Sequence, residues 1–219
     1  MTEDTQKLAI VTGASRGLGR AIAERLGALG WHVVAVARTV GGLEELDDRI
    51  RAVGGNATLA PMDVGQPEAM IQLTRAVLDR WGGCDLWVHA AIHAGPLAPA
   101  PHVDPKDMQK CIATNIAATH GLCALIDPLL RMRNGRALFF DDPRSGEPFF
   151  GAYGATKAAQ IALARSWQAE NSRVGPKVEI AAPKPMPTAL RARFFPGEDR
   201  GTLTPCTSEA LRILDEIGI

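Results

Sequence analysis

The sequence predicts an α/β fold, a doubly wound parallel sheet of about six strands with helices on both faces. Apolar runs rich in Val, Ile, Leu and Ala recur along the chain, continuous rather than alternating, as strands buried on both faces require. Between them lie longer segments with apolar residues at helical spacing, and such alternation fits right-handed crossovers onto a parallel sheet. A glycine-rich turn joins the first apolar run to the first helical segment.

The elements follow in order. Residues 1–6 are polar and acidic, with no apolar core, so neither a signal peptide nor an anchor is expected there. Lys7, Leu8, Ala9 and Ile10 lead into the stretch Val11-Thr12-Gly13-Ala14-Ser15-Arg16-Gly17-Leu18-Gly19, and the helix after it carries Ile22, Leu26 and Leu29 on one face before Gly30. Residues 32–38 are a β-branched second strand, and residues 43–53 a helix through Leu43, Leu46, Ile50 and Val53, stopped by Gly54 and Gly55. A third strand over 57–64 precedes a helix that starts at Pro67 and has Met70, Ile71, Leu73, Val77 and Leu78 at its apolar positions. Residues 84–91 read as the fourth strand, 95–101 as a proline-rich loop, 105–132 as one long helix, 136–140 as the fifth strand, 153–171 as the next helix and 178–182 as the sixth strand. The run Ala182-Pro183-Lys184-Pro185-Met186-Pro187 cannot be regular structure, because its prolines lack donors and have fixed φ. It forms a shaped loop past a strand's carboxyl end, where open α/β sheets bind ligands. A short apolar segment, 189–195, and an amphipathic helix over 208–217 complete a single domain spanning 1–219.

Lys plus Arg and Asp plus Glu are equal at 24 each, which points away from nucleic acid and anionic membranes as partners. No run approaches the roughly 18 apolar residues of a membrane span. Cys84, Cys111, Cys123 and Cys206 have neither metal-ligand nor disulfide-scaffold spacing and read as buried thiols of a cytoplasmic protein. The histidines lack ligand spacing, so His89 and His93 are packing or loop residues and no metal is expected.

The chemistry starts at the glycine turn. Gly13 can adopt backbone angles closed to other residues, and Gly17 and Gly19 let a pyrophosphate approach the amides at a helix N-terminus. Gly-x-x-x-Gly-x-Gly directly after a strand is the context a dinucleotide site needs. Far downstream, Tyr153 and Lys157 stand four residues apart on one helix face, and a neighbouring ammonium stabilises phenolate. Ala37-Arg38 follows the second strand in place of the carboxylate an NAD site requires, and Arg16 supplies a second cation, so NADP(H) is expected over NAD(H).

Taken together, Thr12-Gly13-x-x-x-Gly17-x-Gly19, Asp63-Val64, Asn115, Tyr153-x-x-x-Lys157, and Pro183 with Thr188 resemble the short-chain dehydrogenase/reductase family over nearly the whole chain. The resemblance implies a Rossmann-like sheet and a hydride exchange between nicotinamide and a carbonyl or secondary alcohol. In that frame Tyr153 would be the proton donor or acceptor, Lys157 would hold the nicotinamide ribose and tune Tyr153, and Asn115 would position a water. Ser15, Arg16, Leu18 and the three glycines would surround the phosphates, Arg38 the ribose, and Asp63 and Val64 the adenine. Ala90 would lie beneath the adenosine ribose, with Pro183 and Thr188 at the carboxamide. Family members commonly dimerise through the two long helices. The apolar residues Ile112, Ile116, Ala117, Leu125, Ile161, Leu163 and Trp167 cannot all face one sheet, so a homodimer is expected.

Several positions depart from the family pattern. Ala90-Ala91-Ile92 replaces Asn-Ala-Gly after the fourth strand, and an isoleucine where backbone must approach ligand would cost about 1 to 3 kcal/mol, roughly five- to 150-fold in affinity. The catalytic serine is missing: counting forward from Gly135 reaches Asp142, counting back from Tyr153 reaches Phe140, and Ser145 is a nearby hydroxyl that could fold back. A carboxylate at Asp142 would oppose Lys157 by disfavouring phenolate, and alternatively Asp141 and Asp142 only cap the loop. Lys184 replaces a glycine and either contacts a phosphate or reaches solvent. The seventh strand that the resemblance implies is not expected after the last helix. Two readings result, an NADP(H)-dependent oxidoreductase with Tyr153, Lys157, Asn115 and Asp142 at its centre, or a catalytically impaired dimeric module for ligand sensing or interaction.

Overall fold

The computed structural model describes residues 6–219; the polar segment 1–5 lies outside the described residues. Its strands are β1 (Leu8–Thr12), β2 (His32–Ala37), β3 (Asn56–Pro61), β4 (Leu86–His89), β5 (Arg136–Phe140) and β6 (Lys177–Ala181), and its helices are α1 (Gly17–Ala28), α2 (Val40–Ala52), α3 (Pro67–Trp81), α4 (Pro105–Cys111), α5 (Ala118–Arg133), α6 (Gly151–Glu170), α7 (Ala189–Phe194) and α8 (Cys206–Glu216). The sheet order is β3-β2-β1-β4-β5-β6, and every neighbouring pair is parallel. This is the Rossmann-like doubly wound sheet, six strands with helices on both faces, and no described residue pairs with the outer edge of β6.

The continuous apolar runs are explained by burial on both sides. Along β1, Ala9 and Val11 pack towards Ile22, Leu26, Leu46 and Ile50 of α1 and α2 and Ile213 of α8. Leu8 and Ile10 point the other way, into Met70, Leu122, Ile126, Ile161 and Trp167 of α3, α5 and α6. Strand period 2 thus divides one sequence run between two cores. Where β1 is flanked by β2 and β4, consecutive connections leave in opposite directions, and a crevice opens at the carboxyl ends of the strands. Thr12, the last residue of β1, pairs with Val36 and His89 at its rim.

Some boundaries differ from those read in the sequence. The fourth strand ends at His89 rather than at 91, because Ala90 and Ala91 close onto the Gly13 turn. The long helix over 105–132 is not uniform: α4 and α5 are joined by a π-helical turn, Ile112–Ala117, centred on Asn115. Such an extra residue per turn commonly marks a functional side chain drawn inward. Pro128 lies within α5 on an exposed position without ending the helix. The apolar residues of the two long helical segments, which cannot all face one sheet, are divided. Ile161 and Trp167 are buried under the sheet and Leu125 packs against the same core, whereas Ile112 is 44% exposed and Ala117 is exposed. Of the four cysteines, all free, Cys84 and Cys111 are buried while Cys123 and Cys206 are only half-buried. No helix among the described residues is long and apolar enough to cross a membrane.

Candidate functional site

The crevice at the switch point is a cleft of about 540 Å³ that runs from the glycine turn to Tyr153. At its closed end the turn after β1 is shaped by its glycines. Gly13 has φ +78°, and a Cβ there would stand 2.6 Å from the carbonyl carbon of Ala90 and from the amide nitrogen of Ala91. A Cβ on Gly19 would meet the Gly13 carbonyl oxygen at 2.5 Å. Gly17, with φ +59°, faces Thr188 across the cleft. The N-cap of α1, Arg16, is extended and makes no side-chain cap, and the first turn carries no acidic residue. Its amides are therefore presented with nothing to repel an anion, and these residues fit the pyrophosphate of a dinucleotide.

Ser15, Arg16, Leu18, Arg38, Asp63, Val64, Ala90, Pro183 and Thr188 all line this cleft, as do Tyr153, Lys157 and Asp142. Arg38 is exposed, with its guanidinium 3.8 Å from the Asp63 carboxylate, which also accepts from the Gly65 amide at 2.9 Å. Thr188 caps α7, its hydroxyl oxygen accepting from the Arg191 amide at 3.1 Å. Lys184 donates its backbone N–H to Glu209 and its side chain stands exposed at the cleft. Ile92 turns its side chain into a small apolar cluster with Ala94, Phe150, Tyr153 and Phe194. Ile92 also lines the cleft, on the side of Tyr153. The backbone here is also held without the missing asparagine: Asn115 accepts from the His93 N–H at 2.7 Å and donates to the His93 carbonyl at 2.9 Å.

At the open end, α6 begins at Gly151, so Tyr153 and Lys157 lie in its first two turns with both side chains inward. The Tyr153 hydroxyl donates to Asp142 Oδ2 at 2.9 Å. Phe140 is buried in the core on one side of the sheet, and Ser145 sits exposed in the loop outside this cleft. Asp142 is the group beside the phenol. Its other oxygen lies 3.3 Å from Arg144 Nε, and Asp141 pairs outward with Arg165 at 3.2 Å. Burial, reinforced by the Asp142 charge and hydrogen bond, holds the Tyr153 phenol well above the usual tyrosine range. Burial also pulls Lys157 down to about 8, against the opposing pull of Asp142 and Asp141. Tyr153 is thus a protonated donor at neutral pH, its proton directed at a carboxylate. Asn115, expected at the site, does not line the cleft: it is fully buried behind it, its side chain committed to His93 and Thr156 and its backbone carbonyl accepting from the Thr119 hydroxyl at 2.9 Å.

Several residues at the site carry no sequence motif. Phe194, on α7, lies 5.0 Å from the Tyr153 ring and 4.9 Å from Phe150, which makes an apolar wall beside the phenol. Arg191 forms a two-pronged ion pair with Glu198 at 2.6 and 2.7 Å and covers the Phe195 ring, while Arg193 reaches across to the Ala94 carbonyl. The signal available for Phe194 was only its place in a short apolar segment after the proline-rich loop. Among the described residues no cluster of His, Cys, Asp and Glu could hold a metal ion.

The comparisons with known proteins agree with this geometry. A family model described as short chain dehydrogenase matches residues 7–199. A protein named 3beta-hydroxysteroid dehydrogenase 1, from Eggerthella lenta, is 32% identical over 195 residues, which cover 86% of this chain and 74% of that one. Among solved structures, a short chain dehydrogenase of Pseudomonas syringae superposes with a TM-score of 0.89 at 26% identity, covering 100% of this chain and 94% of its own. A metagenomic short-chain oxidoreductase in complex with NADP gives 0.81 at 27% identity, covering 96% and 89%. With its sheet order, its glycine turn and its Tyr153–Lys157 pair in one cleft, the chain belongs to the short-chain dehydrogenase/reductase family.

Proposed function

We propose that this protein is an NADP(H)-dependent oxidoreductase acting on a carbonyl or secondary alcohol. The observation that carries the reading is the single cleft that joins the Gly13–Gly17–Gly19 turn to the Tyr153 hydroxyl. Preference for NADP(H) rests on Arg38 and Arg16. Both are exposed at the cleft, and no carboxylate follows β2 to accept from ribose hydroxyls. A solved relative at 27% identity holds NADP, which supports the same reading. The cofactor, when bound, supplies or takes up the hydride. The protein's own residues handle the proton and the geometry. Tyr153 exchanges a proton with the substrate oxygen at its phenol, and Lys157 holds the ribose and offsets negative charge at that phenol. Asp142 receives the Tyr153 proton bond until a carbonyl oxygen competes for it, and it accepts from the hydroxyl of an alcohol substrate. Ile92, Leu190 and Phe194 offer apolar surface to the rest of the substrate. The reading takes the chain as one domain, cytoplasmic with free thiols, and as a homodimer through α4, α5 and α6. The impaired-module alternative finds no favour among relatives named as dehydrogenases and oxidoreductases. The test is turnover of NADPH with a panel of apolar ketones, and of NADP+ with the matching alcohols. Tyr153→Phe is expected to lower the rate about 100- to 10,000-fold. Undiminished turnover in that variant would remove Tyr153 from its role.

A further inference from the structure

Behind Lys157 the structure contains a closed polar string that the glycine and Tyr-Lys motifs do not account for. The Lys157 ammonium is buried and donates to Gln160 Oε1 at 2.8 Å, one turn further along α6. The Gln160 amide donates in turn to Thr119 Oγ1 at 3.0 Å, on α5. Thr119 is also within 2.9 Å of His89 Nε2 on β4, and its own hydroxyl reaches the Asn115 carbonyl at 2.9 Å. His89 Nδ1 lies 2.8 Å from the hydroxyl of Thr12. Gln160, Thr119 and His89 are all buried.

Proton counting makes the string directional. Because Gln160 Oε1 accepts from an ammonium, its NH2 must be the group facing Thr119. Thr119 has one proton; with Thr12 donating to His89 Nδ1 at 2.8 Å rather than to the Val88 carbonyl at 3.2 Å, that proton goes to the Asn115 carbonyl. His89 then donates from Nε2 and accepts at Nδ1. Burial and the Lys157 charge hold His89 down to about 3, so it stays neutral and in that role. An amide cannot pass a proton along, so the string is a brace rather than a proton wire.

We propose that Gln160, braced by Thr119 and His89, is a positioning residue that fixes the Lys157 ammonium in the cleft wall and sets the pH range over which it carries charge. The inference rests on the oxidoreductase reading for the use made of Lys157, and on the hydrogen bonds alone for the bracing. The other charged or titratable groups that face the ammonium are Asp141 and Asp142 beyond the end of β5, His89 on β4 and Tyr153 on α6 itself. Gln160 is the group through which the ammonium's hydrogen bonding can be changed without altering any of these.

The test is the pH titration of Lys157 by NMR in protein labelled with 13C-lysine, its resonance assigned by loss in Lys157→Met. In Gln160→Glu the acceptor becomes a carboxylate, and the Lys157 midpoint is expected to rise by about 1 to 3 pH units. In Gln160→Met the acceptor is lost and the midpoint is expected to fall below that of the wild type. Thr119→Val leaves Gln160 in place but unbraced, and is expected to shift the midpoint in the same direction as Gln160→Met and by less. A side chain that only fills space would move none of these midpoints. Unchanged midpoints in folded variants, checked by near-UV circular dichroism, overturn the proposal, and if one Gln160 variant does not fold the other two variants decide. NADPH titration of the same proteins separates the two claims. Shifted midpoints in proteins that bind neither NADPH nor NADH uphold the brace and defeat the oxidoreductase reading instead.

Discussion

Tyr153 is the only tyrosine in the chain, so its ionisation can be followed without interference in the tyrosinate absorbance of the whole protein. The perturbation is Asp142→Asn, which keeps the shape of the side chain and removes its charge. In the wild type the phenol oxygen lies 2.9 Å from Asp142 Oδ2, and the ring is 4% exposed. Two unit charges about 4 Å apart at an effective dielectric of about 20 repel by about 4 kcal/mol. At about 1.4 kcal/mol per pH unit that corresponds to about 3 units. Arg144, 3.3 Å from the other carboxylate oxygen, screens part of this, so the expected fall in the Tyr153 midpoint is about 2 units. The wild type is expected to form tyrosinate only at strongly alkaline pH, and the variant about 2 units lower, though still above the ordinary tyrosine range because burial is unchanged. Equal midpoints in the two proteins, or wild-type ionisation below the ordinary tyrosine value, would refute the claim that Asp142 governs the phenol.

Three further outcomes are expected. Lys157 stands at about 8 in the folded protein against 10.5 ordinarily, so the unfolded chain binds the extra proton between those values and stability gains as pH rises through that window. The gain is at most about 3 kcal/mol, and thermal melts across the window should show it in the wild type relative to Lys157→Met; parallel curves would contradict it. The double variant Ala90→Asn with Ile92→Gly should bind NADPH within about fivefold of the wild type, since Ile92 packs on the Tyr153 side of the cleft; a gain of about tenfold or more would restore the steric argument. Light scattering at micromolar concentration should report a dimer that Ile112→Arg dissociates, and a wild-type monomer would reject the helix-face interface.

Much of the fold was legible because its signals are local. A strand buried on both faces must be apolar throughout, and a turn that places Gly13 against the Ala90 carbonyl must be glycine. Tyr153 and Lys157 were legible for the same reason, since four residues of helix fix their relation. Asp142 was not settled, because the distance along an irregular loop does not determine which residue reaches the phenol, and the forward and backward counts disagreed. Which of the apolar residues of the long helices lie under the sheet, as Ile161 and Trp167 do, is not legible, since buried positions run around much of α6 and leave no single apolar stripe. The string behind Lys157 draws its members from β1, β4, α5 and α6, and no spacing within one segment encodes it. A glutamine one turn after Lys157, on a face otherwise buried among Ile161 and Ala164, was the one hint.

The central claim is that the crevice beside β1 is a nucleotide site tied to Tyr153. Titration of the purified protein with NADPH and NADH, read by tryptophan fluorescence, tests it most directly. Saturable NADPH binding tighter than NADH, weakened when Arg38→Asp places a carboxylate after β2, is the expected result. Binding of neither cofactor, or tighter binding of NADH by the wild type, would contradict the account.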